Sequence, residues 1–150
     1  QSAYSVSRKL VFMGREMNFG KTKDRPIRLL KTGKARFKGE IHEILHPLDH
    51  SKVSHDLRGY ILHYSYTDIT DYFNRFNRYT STIAENHRKN GKKVNFLLHT
   101  LRPWFEFVNR YFIRLGFVDG YEGYVYALFS SLYTFTKYAK YYELIREDHK

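Results

Sequence analysis

The chain has 150 residues, a length that fits one domain, and carries a formal net charge of +11. It contains no cysteine, which excludes a disulfide framework and a thiolate metal site. The basic excess predicts an anionic partner such as a phosphorylated substrate, acidic lipid or nucleic acid, and it is uneven: residues 1–67 hold 13 Lys/Arg against 6 Asp/Glu, residues 68–150 hold 13 against 9.

The first third reads as short strands and turns. Residues 4–13 mix β-formers with basic side chains, and Gly20 to Asp24 is a polar loop. Ile27–Lys31 and Ala35–Lys38 flank Thr32-Gly33, a turn signal between two strands. Ile41–Leu45 is a third short apolar run, closed by Pro47, and residues 48–58 are a polar loop. Gly59–Tyr66 alternates in the manner of a buried strand.

From residue 67 the pattern becomes helical. Thr67 or Asp68 can cap a helix whose apolar stripe is Ile69, Tyr72, Phe73, Phe76, Tyr79 and Ile83, and Asn90-Gly91 is its stop signal. Residues 94–115 form a second helical pattern, with a polar stripe of Asn95, His99, Arg102, Glu106, Arg110 and Arg114. Pro103 is expected to start or kink that helix. After a break from Gly116 to Gly120, a third helix is predicted from about Tyr121 to Arg146. Its uncharged run Gly123–Thr136 is too short to cross a membrane, which takes roughly 20 residues. Half of the 14 tyrosines fall in residues 121–142. No basic segment followed by an apolar one opens the chain, so no signal peptide is expected, and a cytoplasmic compartment fits.

Two successive helices with wide apolar faces, aromatic bodies and basic flanks suit docking in the plane of a membrane surface. Arg102, Arg110, Arg114, Lys137 and Lys140 are the candidate contacts to anionic lipid. The alternative is that both helices pack on the sheet and on a domain outside these residues, since apolar stripes at helical spacing usually face a core. Nucleic acid is not the expected partner: no recognition signature is present, and the aromatics concentrate where Lys/Arg are sparse.

His42-Glu43-Ile44-Leu45-His46 formally matches H-E-x-x-H, the helical zinc-hydrolase motif. Pro47 disfavours helix at His46 and Gly39 lies just upstream, so this zinc reading is the lesser one. There is no glycine-rich phosphate loop and no D-x-D.

Arg28-Leu29-Leu30-Lys31, Gly33-Lys34-Ala35-Arg36-Phe37 and Ile41-His42-Glu43 occur in an order that resembles the late catalytic domain of family-2 glycosyltransferases, most closely the group that builds lipopolysaccharide cores. Leu62 to Tyr66, Tyr72 with Arg75, Asn77 to Thr80 and Ala84, Phe117 to Gly123, and Lys137 to Lys140 resemble that group's last strand and helical tail. The resemblance runs from about Arg8 to Glu147. Phe12 to Arg15 resembles the point where the family chain enters the acceptor side. One departure is at Gly20 to Pro26, which lacks the aromatics the family often carries there.

The resemblance implies an α+β fold: short strands from one end of a GT-A mixed sheet (residues 1–66, the acceptor side), then an amphipathic region of three C-terminal helices (67–150). It implies inverting transfer of a sugar from a nucleotide sugar to a lipid-linked or lipopolysaccharide acceptor, at the inner face of the cytoplasmic membrane. It also implies a divalent metal, Mg or Mn, and as a partner the family's N-terminal half, which binds the donor and holds the D-x-D site; without that half this stretch is expected to be inactive. By the same resemblance Glu43 is the candidate general base, His42 a contact to the metal–diphosphate, and Arg28 and Arg36 the candidate phosphate contacts. The residue types suit the chemistry, since a carboxylate can take the acceptor proton and cations can stabilise a departing diphosphate. Read without the resemblance, the same residues fit a basic docking module with no catalysis.

Overall fold

A computed structural model describes residues 3–30, 35–38, 44–47, 53–54, 57–93 and 95–148; for Leu30 and for 35–38, 44–47 and 53–54 it describes the backbone alone. The fold is α+β, with short strands followed by three helices.

Strand β2 (Ser7–Phe12) organises the sheet that carries the core. Along one edge it pairs antiparallel with β3 (Arg15–Glu16) and, further along, with β4 (Lys23–Asp24). Along the other it pairs parallel with β9 (Tyr60–Tyr64) from Ser7↔Tyr60 to Val11↔Tyr64. The β2–β3 turn is Met13-Gly14, with φ of 50° and 78°, the left-handed geometry that a two-residue hairpin needs. Lys23–Asp24, read from sequence as loop, is drawn into the ladder, where Arg8 clamps Asp24 with Nε–Oδ1 at 2.8 Å.

The remaining strands pair away from this sheet. β1 (Ala3–Ser5) joins β5 (Ile27–Leu30) antiparallel and β8 (Val53–Ser54) parallel. β6 (Ala35–Lys38) pairs antiparallel with β7 (Ile44–Pro47). The expected partnership of 27–31 with 35–38 across Thr32-Gly33 is therefore not the one formed: each strand takes a different neighbour, because pairing is chosen by non-local fit and not by a turn signal alone. β9 also departs from expectation. All five of its residues are exposed, since it is an edge strand with no layer of the described residues over it.

Helix α1 (Ile69–Lys89) follows its sequence signals closely. Asp68 is the N-cap and accepts from the Asp71 amide, and Asn90 is the C-cap with Gly91 at φ 57° behind it. Its buried residues are Tyr72, Thr80 and Ala84. Helix α2 (Phe96–Val108) starts at the Asn95 cap and runs through Pro103, then passes into a π turn at Asn109–Ile113. Leu115 at φ 56° ends it, a 3-10 turn covers Gly116–Asp119, and α3 (Gly120–Asp148) follows.

The core joins Leu10 and Phe12 of β2, and Met17 just after β3, to Tyr72 of α1 and Val125 of α3. The Phe12 ring lies 5.3 Å from Tyr126 and 5.9 Å from Tyr72, both edge-on, the arrangement aromatic quadrupoles favour. Two devices seat α3. Buried Asp119 accepts from the Asn18 amide at 3.0 Å and the Phe19 amide at 2.8 Å, tying the β3–β4 loop to the helix start. Gly123 packs so close to the 3-10 turn that a Cβ there would sit 1.9 Å from the Gly116 carbonyl oxygen. Further along, the Lys140 ammonium donates to the Asn77 carbonyl, Thr80 Oγ1 and Ser81 Oγ, locking α3 to α1.

Candidate functional site

Where the sheet meets the helices, two neighbouring cavities share Tyr66 and Tyr126 as a common wall. The first, about 220 Å³, lies over the sheet and is edged by Arg8, Lys21, Lys23 and His63. The second, about 330 Å³, lies among α1, α2 and α3 and is edged by Arg102, Arg110 and Lys137, with Glu106 opposite. Together they form a cleft rich in cations and tyrosine hydroxyls.

The loop at Gly20 is tied to the segment after α2. Its amide donates to the Arg114 carbonyl at 3.0 Å, and its carbonyl accepts from Arg110 Nη1 at 3.0 Å. Glycine suits the position because φ is 67°, in the left-handed region. Arg110 is further held by Glu106, with Nε–Oε1 at 2.6 Å, and lies over the Tyr126 ring. Arg110 and Lys140, two of the five cations expected to meet lipid, are thus turned inward and occupied.

The surroundings shift several protonation equilibria. Partial desolvation at the cavity edge, reinforced by Arg8, pushes the His63 imidazole down. Burial pushes Tyr66 up to about 12 and raises Tyr72, Tyr126 and Tyr133 as well, so these hydroxyls stay protonated and can donate. Burial and then the Arg102 charge push Lys137 down.

The sequence-predicted residues fall unevenly on this geometry. Glu43 and His42 lie outside the described residues. Arg36 stands on β6, with its side chain outside the description. Arg28 is on β5 with its side chain exposed; its charge acts on His63, but it does not line either cavity. Ile44, Leu45 and His46 are on β7, in extended backbone, which does not fit the helix that H-E-x-x-H zinc binding needs. Among the described residues no three His, Asp or Glu side chains gather to hold a metal ion. The tyrosine wall of Tyr66, Tyr126 and Tyr133 was missed as a site. Its one sequence signal was the tyrosine density of residues 121–142, which says nothing of direction.

No family model matches the chain, and no solved structure matches it significantly. The chain is similar to curated proteins named as glycosyltransferases. An uncharacterized glycosyltransferase of Rickettsia typhi is 39% identical over 89 residues, covering 59% of this chain and 30% of the relative. One of Rickettsia prowazekii is 39% identical over 85 residues, covering 56% and 29%, and one of Rickettsia felis is 38% identical over 79, covering 52% and 28%. The matched stretch spans less than a third of each relative's length.

Proposed function

We propose that the chain is the acceptor-side, C-terminal part of a glycosyltransferase of family 2 and GT-A type, which moves a sugar with inversion from a nucleotide donor to a lipid-linked or lipopolysaccharide-core acceptor. The observation that carries this reading is the 39% identity over 89 residues to a protein named glycosyltransferase. The cationic, tyrosine-lined cleft supports it, because donor and acceptor are phosphorylated or polyhydroxylated. In this reading Glu43 takes the proton of the acceptor hydroxyl as that oxygen attacks the anomeric carbon, and the nucleoside diphosphate leaves. Arg28 and Arg36 contact its phosphates. A divalent ion, Mg or Mn, would neutralise the diphosphate. His42 offers one ligand to an ion that takes about six, so most of the set would come from phosphate oxygens, water and residues outside those described here.

The test uses the full-length protein, with release of nucleoside diphosphate from a panel of nucleotide sugars as the readout. Glu43→Gln is expected to lower turnover by about 10²–10⁴-fold with donor affinity nearly unchanged, as removal of a general base does. Near-normal turnover would remove Glu43 from that role, and no transfer with any donor would defeat the transferase reading.

A second observation favours peripheral attachment at the inner face of the cytoplasmic membrane, as part of the enzyme or as a docking module without catalysis. Leu97, Leu101, Trp104, Phe105, Val108 and Phe112 follow helical spacing and are all exposed, with Trp104 at 70% and Leu97 at 66%. Exposed Lys92, Lys93 and Arg114 flank them, the pairing of apolar stripe and cation rim that acidic lipid attracts. No helix among the described residues is long and apolar enough to cross a membrane. Sedimentation with phosphatidylglycerol vesicles is expected to carry the protein down at low salt and less at high salt, and Trp104→Ser with Leu101→Ser to abolish it. Absence of wild-type binding would end the lipid reading.

A further inference from the structure

We propose that the cavity among α1, α2 and α3 is a phosphate-binding site, in which Arg102 and Lys137 grip a phosphate or diphosphate group and tyrosine and threonine hydroxyls complete its hydrogen bonds. The sugar-transfer reading is needed only to say whose phosphate it is, namely that of a phosphorylated acceptor; the site itself stands on its own chemistry.

The cavity, about 330 Å³, has three cations and one carboxylate on its wall. The carboxylate, Glu106, is taken up by Arg110 at 2.6 Å, and Arg110 spends another nitrogen on the Gly20 carbonyl. Neither Arg102 nor Lys137 pairs with a carboxylate of the described residues. Lys137 instead lies over the Tyr138 ring, 5.2 Å from its centroid, and 6.0 Å from that of Tyr133. A half-buried ammonium with no carboxylate bonded to it is unfavourable, and here the repulsion from Arg102 outweighs the attraction of Glu106, which is already bonded to Arg110. An anion between the two removes both penalties at once.

The remaining wall selects the kind of anion. Tyr66, Tyr126 and Tyr133 are held protonated by burial and can donate. The Ser130 hydroxyl is already committed to the Tyr126 carbonyl, which leaves buried Thr134 as the nearby aliphatic hydroxyl. Guanidinium, ammonium and phenol donors around an otherwise acceptor-poor space suit an oxyanion with several oxygens, and arginine matches phosphate geometry in particular. The adjoining cavity, across Tyr66 and Tyr126, offers room for whatever the phosphate is attached to.

The experiment is isothermal titration of inorganic pyrophosphate into the full chain, alongside vesicle sedimentation with phosphatidic acid in phosphatidylcholine. Arg102→Gln and Lys137→Gln are each expected to weaken binding roughly tenfold or more, with Lys137→Arg restoring much of it and the exposed Arg146→Gln leaving it unchanged. Thermal melting of each variant separates loss of the site from loss of the fold. Weakening in the titration assigns a free phosphate as sufficient, whereas weakening confined to the phosphatidic acid arm assigns a lipid headgroup; both sustain the site. Binding that is absent in both arms, or equal in wild type and both Gln variants, overturns it. Pyrophosphate binding in a protein that transfers no sugar would leave this site standing while the transferase reading fails, and transfer without pyrophosphate or phosphatidic acid binding would do the reverse.

Discussion

Helices α1 and α2 are both amphipathic, and they face opposite ways. In α1 the apolar side turns inward, with Tyr72 buried beneath Phe12, and the charged residues lie towards solvent. In α2 the polar stripe turns inward: His99 stacks on Tyr138 at 4.1 Å, while Glu106 and Arg110 border the cleft, and the leucines and aromatics are left outside. Among the described residues this leaves a broad apolar stripe of α2 on the surface, beside a polar stripe spent on the interior. The comparison teaches that the period of a hydrophobic pattern predicts a helix, whereas the direction in which it faces depends on what the helix serves.

The largest effect expected from testing this contrast is at Tyr72. Tyr72→Ala should destabilise the fold by about 3–5 kcal/mol in denaturant titration, as truncation of a buried aromatic does. A loss within about 0.5 kcal/mol would place α1 on the same footing as α2. Next comes the seat of α3 beside the cleft. Gly123→Ala forces a Cβ into the Gly116 carbonyl and should cost about 1–3 kcal/mol, read as a lowered melting temperature. Smaller still, Trp104→Ser on the outer face of α2 should change stability by less than about 0.5 kcal/mol while it weakens vesicle binding. A large destabilisation there would mean that the outer face is core after all.

The pH dependence probes the inward polar stripe. His87 and His99 have imidazoles pushed below the ordinary value near 6.5, chiefly by burial. Their neutral forms are favoured in the folded state, so their contribution is complete above about pH 6.5 and is lost as pH falls through the lower folded values. Melting temperature should therefore be level just above neutrality and decline from about pH 6.5 downward. His99→Phe, which keeps a ring against Tyr138, should flatten part of that decline; an unchanged slope would remove His99 from the account.

Much of the helical part was legible in the sequence, for local reasons. The Asp68 and Asn90 caps act within a turn of the helix they bound, so residue types alone located α1. For α2 the sequence placed Asn95 in the polar stripe, whereas in the structure it is the N-cap, and Pro103, expected to start or kink the helix, lies inside it. The candidate site was less legible. Arg102, Arg110 and Lys137 were visible as cations but were assigned to one lipid-facing role; the contacts of Arg110 with Gly20 and Glu106, and the convergence of the other two on one cavity, join positions far apart in the chain. Glu43 and His42 lie outside the described residues, and their proposed roles rest on resemblance.

By itself the sequence determined that this is a strand-then-helix chain with strong positive charge, three helices in its second half and capped ends where side chains bond their own neighbours. Only the tertiary structure decided that β5 and β6 take separate partners, that β9 is an exposed edge, and that α2 turns its charges to a tyrosine-lined cleft. Capping and periodicity are settled by atoms a few residues apart. Strand partners, burial and the meeting of charges are settled by atoms that folding alone brings together.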